Sequence, residues 1–206
     1  MTIGVVLLAA GRSRRFGSDK RLAAMNDQGD YLLLATLKQI QRSQLPCFVV
    51  LRPGDDTLAK QLTNLNIEWG ICPDADAGMG HSLAFGVRNK QAWSGWLIAL
   101  ADMPWIQPET YQAIAQALTG DNIVRPALIP QDQPFESSEL DSQKLSNPEF
   151  GNPVAFSPPF AYQLMQCKGD TGARHLLKGS QAITELIVHD HGILRDIDRP
   201  ADLNPR

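Results

Sequence analysis

The sequence is poor in cysteine: Cys47, Cys72 and Cys167 are the only three in 206 residues, and no two form a C-x-x-C pair. An odd count without paired spacing argues against a disulfide framework and against a thiolate zinc site, and it fits a reducing cytoplasm. Charge of one sign is also lacking. Asp, Glu, Lys and Arg make up 20% of the chain and nearly cancel, leaving a net charge of -3. No overall field draws the molecule to nucleic acid or to an anionic membrane, so the expected partners are small molecules. Long hydrophobic runs are missing as well. The apolar start, Ile3 to Ala10, is far shorter than the roughly 20 residues a bilayer requires. No basic segment precedes it as in a signal peptide.

What is present is enough apolar material, 43% of 206 residues, to bury one substantial core, and the expectation is a single domain over 1–206. Apolar runs of strand length lie at Ile3 to Ala9, Cys47 to Leu51, Ile67 to Cys72 and Trp96 to Ala101. Segments of helical period separate them at Leu32 to Ser43, Leu58 to Leu65 and His81 to Asn89. This β-α-β order implies right-handed crossovers and an α/β fold: a three-layer α/β/α arrangement around a mostly parallel, Rossmann-like sheet. Ligands bind such sheets beyond the carboxyl ends of the strands. Further on, the pattern predicts a helix at Pro108 to Leu118 and strands at Ile123 to Ile129, Pro153 to Ser157 and Thr184 to His189. Helices are expected at Pro159 to Cys167 and Gly172 to Lys178, and a short one after Pro200. The polar, aperiodic stretch 130–149 reads as an exposed, flexible insert.

The first strand runs into Gly11-Arg-Ser-Arg-Arg-Phe-Gly17-Ser-Asp-Lys20, and five basic residues fall between Arg12 and Arg21. Glycines let backbone N–H groups approach anionic oxygens, and Arg and Lys add charge-assisted hydrogen bonds, so the composition is that of a polyphosphate cradle. The competing reading is a solvated basic loop. Neither common fingerprint applies. Five residues, not four, separate Gly11 from Gly17, Ser18-Asp19 follow, and G-x-G-x-x-G is absent.

Leu8-Ala-Ala-Gly-x-Ser-x-Arg15-Phe-Gly17-x-x-Lys20 resembles the signature of the MobA-like nucleotidyltransferases, and within them the MocA-type molybdenum cofactor cytidylyltransferases. Four further segments match in order. They are Gly78-Met-Gly-His-Ser-Leu-Ala-Phe-Gly86, Ala101-Asp-Met-Pro104, Gly151-Asn-Pro-Val-Ala-Phe156 with Gly169-Asp-Thr-Gly-Ala-Arg174, and Asp196-Ile-Asp-Arg-Pro200. The resemblance implies a nucleotidyltransferase sheet and the transfer of a nucleoside monophosphate from an NTP to a phosphorylated acceptor, with loss of pyrophosphate. The acceptor it implies is the molybdenum-pterin cofactor, with a molybdoenzyme or its chaperone as the protein partner.

Asp102 ends the buried run Trp96 to Ala101, where an open α/β sheet places its ligands, and Pro104 stops the strand. A carboxylate there suits Mg²⁺, which takes one or two carboxylates with waters and phosphates; a turn or cap role is the alternative. The resemblance places the second metal ligand in Asp-Ile-Asp-Arg-Pro, at Asp198, with Asp196 in reserve. It implies that Arg15 and Lys20 act in catalysis with Asp102 by holding the triphosphate. Leu8, Ala10, Gly11 and Ser13 are expected to supply close nucleotide contacts. Gly78 and Ser82 are expected to read the base: Ser82 as a helix cap, and small residues letting a flat base lie against the backbone. Calcium at Asp74-Ala-Asp-Ala-Gly is rejected on spacing, and zinc has no ligand set.

Arg174, near a helix start, suits an anion, and the resemblance assigns it with Asn152 to the acceptor; a surface pairing of Arg174 with Asp170 is the alternative. Ala10 matches the Leu-Ala-Ala-Gly of cytidylyl enzymes, where guanylyl relatives carry Leu-Ala-Gly-Gly, so CTP is favoured. Three positions depart from the pattern: Phe16 for Met, Ala24 for Pro, and Asn152 for the His of Gly-His-Pro. The last leaves open a guanylyltransferase, a sugar- or alcohol-phosphate nucleotidyltransferase, and a non-catalytic handler of the cofactor.

Overall fold

The computed structural model describes residues 1–13, 15–25, 29–129, 147–178 and 180–203. Its centre is an eight-stranded sheet in the order β3-β2-β1-β4-β7-β5-β6, with β8 pairing β5 as well. The strands are β1 (Ile3–Leu8), β2 (Cys47–Leu51), β3 (Glu68–Ile71), β4 (Gly95–Leu100), β5 (Ile123–Leu128), β6 (Glu149–Phe150), β7 (Val154–Phe156) and β8 (Ile183–Ile187). All of β1 to β4 pair in parallel, with Leu8 opposite Val50 on one side and Leu100 on the other. β7 enters antiparallel between β4 and β5, and β6 is antiparallel to β5.

Strict alternation along β1 builds two cores. Val5, Leu7 and Ala9 face one side, where α1 (Leu32–Arg42), α2 (Asp56–Asn64) and α4 (Pro108–Ala117) bury Leu37, Leu62 and Tyr111. Val6, Leu8 and Ala10 face the other, under α3 (Met79–Asn89) and α5 (Ala161–Met165), which bury Leu83, Val87 and Leu164. The result is the three-layer α/β/α arrangement.

Two expectations are corrected. The insert was expected to run over 130–149; residues 130–146 lie outside the described residues, but Glu149 belongs to β6, paired with Leu128. A helix was expected from Gly172 to Lys178, whereas α6 covers only Arg174–Leu177. Gly172 is held at a φ of 53°, outside the helical region, which delays the start.

From β1 the chain moves outward through β2 to β3, then returns to the opposite side of β1 as β4. The carboxyl ends of β1 and β4 therefore form a switch point, where loops diverge and leave a crevice.

Candidate active site

That crevice is a cavity of about 470 Å³. It is lined by the loop after β1 and by Asp102 after β4, and the residues before α3 and Asp198 complete it. Lys20 lies at its centre. Its Nζ donates to Asp102 Oδ2 at 2.7 Å, to the Ile197 carbonyl at 2.7 Å and to Asp198 Oδ1 at 3.1 Å. Arg15 Nη1 reaches Asp198 Oδ2 at 2.9 Å. The far-off segment 196–200 is brought here by backbone: Ile197, fully buried, donates its N–H to the Asp102 carbonyl at 3.0 Å.

Burial pushes the Asp102 carboxyl above its ordinary range, against the pull of Lys20. Asp198 is more open, and hydrogen bonding from Lys20 holds its carboxyl below the ordinary range. Burial opposes the charge of Lys20, but Asp102 and then Asp198 overcome it and raise the ammonium's pKa. Asp102, Asp196 and Asp198 each offer an oxygen, and these atoms lie within 4.8 Å of one another. Oδ1 of Asp102 is buried with no hydrogen-bond partner among the described residues. A buried carboxylate oxygen left unsatisfied beside two other carboxylates is a donor set that fits a hard divalent cation.

The loop after β1 is shaped by residues that the sequence did not single out. Arg21, one of the five basic residues read as a cradle, turns inward and is buried. Its guanidinium bonds Asp19 at 2.8 Å, Asp55 at 2.7 Å and the Ala9 carbonyl at 2.7 Å. Arg52 binds Asp19 at 3.0 Å and also the Gly11 carbonyl. Two arginines thus hold the loop's carbonyls from behind, which leaves Arg15 and Lys20 on the cavity side. Arg12 pairs with Asp76 across the cavity mouth. A Cβ on Gly11 would meet no protein atom within 4 Å, so its open face belongs to the cavity. Ser13 sits at a φ of 51°, rare for a residue with a side chain, and its buried Oγ has no partner.

Leu8, Ala10, Gly78 and Ser82 also line this cavity, but the reasons given for two of them change. Ser82 does not cap α3. The helix starts at Met79 with Gly78 as its cap, and Ser82 lies buried one turn in, where its hydroxyl bonds the Cys72 thiol. The glycines are small because of protein, not only for space against a ligand. A Cβ on Gly78 would fall 2.4 Å from the Gly169 carbonyl carbon, and one on Gly80 2.7 Å from the Lys168 backbone. The Gly80 N–H donates to the Gly169 carbonyl at 2.7 Å, and His81 Nδ1 accepts from the Gly169 N–H at 3.3 Å. These contacts bring Asp170 into the cavity wall.

Asn152 and Arg174 line a second cavity, of about 280 Å³, that shares Leu8, Met79 and Leu100 with the first. Arg174 opens α6 and is exposed, and among the described residues it makes no ion pair with Asp170. Asn152 is anchored through its backbone, its N–H donating to the Ile193 carbonyl at 3.0 Å.

An α/β sheet with cation and carboxylates gathered at its switch point is the architecture of an enzyme acting on phosphates, and comparison with known proteins narrows the class. Residues 5–186 match the MobA-like NTP transferase domain. The chain is 31% identical over 209 residues to the purine catabolism protein PucB of Bacillus subtilis, covering 96% of this chain and 92% of that one. It therefore belongs to the MobA-like NTP transferase family and is a nucleotidyltransferase.

Solved structures agree on the fold. Rv0371c of Mycobacterium tuberculosis superposes with a TM-score of 0.78 at 22% identity, covering 98% of this chain and 95% of that one. Its complex with manganese gives 0.73 at 20% identity, over 98% and 96%. A nucleotidyl transferase from Methanothermobacter gives 0.75 at 22% identity, over 98% and 94%. No helix among the described residues is long and apolar enough to cross a membrane.

Proposed function

We propose that the chain transfers CMP from CTP, with Mg²⁺, to the phosphate of a molybdenum-pterin acceptor and releases pyrophosphate. The observation that carries this reading is the meeting of Lys20 Nζ and Asp102 Oδ2 at 2.7 Å in the switch-point cavity, with Asp102 Oδ1 buried and unpartnered beside them. Asp102 and Asp198 would hold the cation, with Asp196 the nearest further carboxylate. When bound, a divalent cation neutralises phosphate charge. The mycobacterial neighbour solved with manganese supports a divalent ion in this fold.

Lys20 and Arg15 hold the triphosphate and offset the charge that builds on the departing pyrophosphate. Gly11 offers its open face to a phosphate oxygen, and the unpaired Ser13 hydroxyl offers a hydrogen bond. Leu8, Ala10, Gly78 and Ser82 surround the base, and the Cβ of Ala10 narrows that end toward a pyrimidine. Asn152 and Arg174 place the acceptor. An oxygen of the acceptor phosphate forms a new bond to the α-phosphorus, the bond from that phosphorus to the β-bridging oxygen breaks, and its electron pair leaves with pyrophosphate. The protein's share is alignment and charge.

The test is pyrophosphate release with each of the four common NTPs, with and without Mg²⁺, against molybdenum-pterin and sugar 1-phosphates. The expected result is release that requires Mg²⁺, CTP and molybdenum-pterin together. Faster turnover with GTP would overturn the base assignment, and turnover with a sugar phosphate alone would overturn the acceptor.

A further inference from the structure

The second cavity contains a cation that the site as described leaves unused. Arg125 lies on β5 directly opposite Glu185 of β8, and its Nη2 donates to Glu185 Oε1 at 2.8 Å. Two residues along the same face, Ala127 faces Phe150 of β6, and this register lays the Phe150 ring over the guanidinium, 3.4 Å from Cζ to the ring centroid. Strand and ring therefore fix the plane of the guanidinium. Its hydrogen-bonding capacity is not used up. Nε is buried with no acceptor, and Nη1 makes no hydrogen bond to any described residue. The rest of the wall is largely apolar: Leu83, Ile98, Val154, Phe156 and Leu177 line the cavity with Arg125.

We propose that Arg125 is an acceptor-recognition residue, and that the substrate class it selects is a planar heterocycle bearing a phosphate. This rests on the reading of the second cavity as the acceptor's. A flat ring can lie against the aliphatic and aromatic walls while its edge carbonyl or ring nitrogen accepts from the guanidinium, which Phe150 and Glu185 hold in place. A polyhydroxylated sugar of similar size would press several hydroxyls against walls that offer them no partner. The phosphate lies toward Arg174 and toward Leu8, Met79 and Leu100, the residues common to both cavities. Arg125 itself contributes no charge to the nucleotide cavity's lining.

The test uses the full chain saturated with CTP in Ca²⁺, to hold back turnover, and follows the fluorescence of a pterin carrying one phosphomethyl group. Glucose 1-phosphate is the competing probe. Wild type is expected to bind the pterin phosphate and to release it only at a large excess of the sugar. Arg125→Met should weaken the pterin phosphate by ~10–100-fold, the range set by losing one good hydrogen-bond recognition, and Arg125→Lys should recover only part of this because an ammonium cannot stack or offer a fixed fork. CTP affinity, read separately by calorimetry, should be the same in all three proteins. Unchanged pterin affinity in Arg125→Met with CTP still bound, or no pterin binding by wild type with CTP bound, overturns this inference alone. Loss of CTP binding by wild type overturns the underlying reading instead. A stable fold is checked by the melting curve of each variant, and Glu185→Gln, which frees the guanidinium without removing it, should weaken the pterin phosphate less than Arg125→Met does.

Discussion

Arg21 keeps only 4% of its side chain exposed because every guanidinium nitrogen has an acceptor in Asp19, Asp55 or the Ala9 carbonyl. A buried cation of this kind is tolerated when it is fully paired, and removing one partner typically costs about 3–5 kcal/mol, since the charge stays behind. Asp19 is the partner whose ionisation can be followed. Burial pushes its carboxyl up, but Arg21 and then Arg52 outweigh this and hold it below its ordinary value. A carboxylate depressed in the folded state contributes stability that is complete above its unfolded value, roughly pH 4. The contribution is lost as pH falls through the lower folded value. Asp19→Asn should therefore be less stable than wild type by about 1–3 kcal/mol at pH 7, with the gap narrowing steadily below about pH 4. Denaturant melts of both proteins at pH 7 and pH 3 check this, and an equal gap at both would mean that the carboxylate's charge contributes nothing.

At the scale of elements, the contact between the start of α3 and the 168–170 turn is built on missing side chains. Gly80→Ala puts a Cβ 2.7 Å from the Lys168 backbone, so either the helix start or the turn must move. Overpacking against backbone costs about 1–3 kcal/mol, and here it also shifts Asp170 in the cavity wall. The expected outcome is a lower melting temperature together with a higher Kd for the nucleotide, although no charged or polar side chain has been removed. Calorimetry reads both, and a variant as stable and as tight as wild type would show that the turn yields freely. Elements such as these were partly legible. The four parallel strands could be read because strands covered on both faces are continuous apolar runs, and the helices facing them showed a single apolar stripe. β6 could not be read, because two exposed residues carry no period, and its pairing with β5 spans the polar segment between them. The placement of β7 between β4 and β5 is likewise non-local. Ser82 looked like a cap because hydroxyls commonly cap helices, yet Gly78 with a φ of 121° began the helix three residues earlier. The meeting of Lys20, Asp102 and Asp198 was legible only through the ordered motifs. Nothing in the local sequence at Arg52 and Asp55 showed that they would support the loop from behind, since their burial is a property of the assembled sheet.

At the scale of the molecule, one crossing point in the chain path governs both cavities: β1 and β4 end side by side, the loop after β1 covers one side of their carboxyl ends, and segment 196–200 closes back over Asp102. In the free protein Lys20 neutralises the carboxylates there. A cation entering among them displaces that ammonium by like-charge repulsion and leaves it for the triphosphate, so nucleotide and cation should each bind better with the other present. A ligand that binds only the folded state at 100 times its Kd adds about 2.7 kcal/mol, or roughly 5–10 °C for a chain of this size. CTP with Mg²⁺ should raise the melting temperature by more than the two separate increments combined, and chelation of the metal should remove the excess. In Asp102→Ala the fold should persist, because Ala99 to Ala101 and Met103 are buried by their own packing rather than by the carboxylate. The same variant should show no turnover and no excess stabilisation. Strictly additive shifts in the wild type would mean that Lys20 and the cation do not compete for these carboxylates, and normal turnover in Asp102→Ala would remove Asp102 from the reaction.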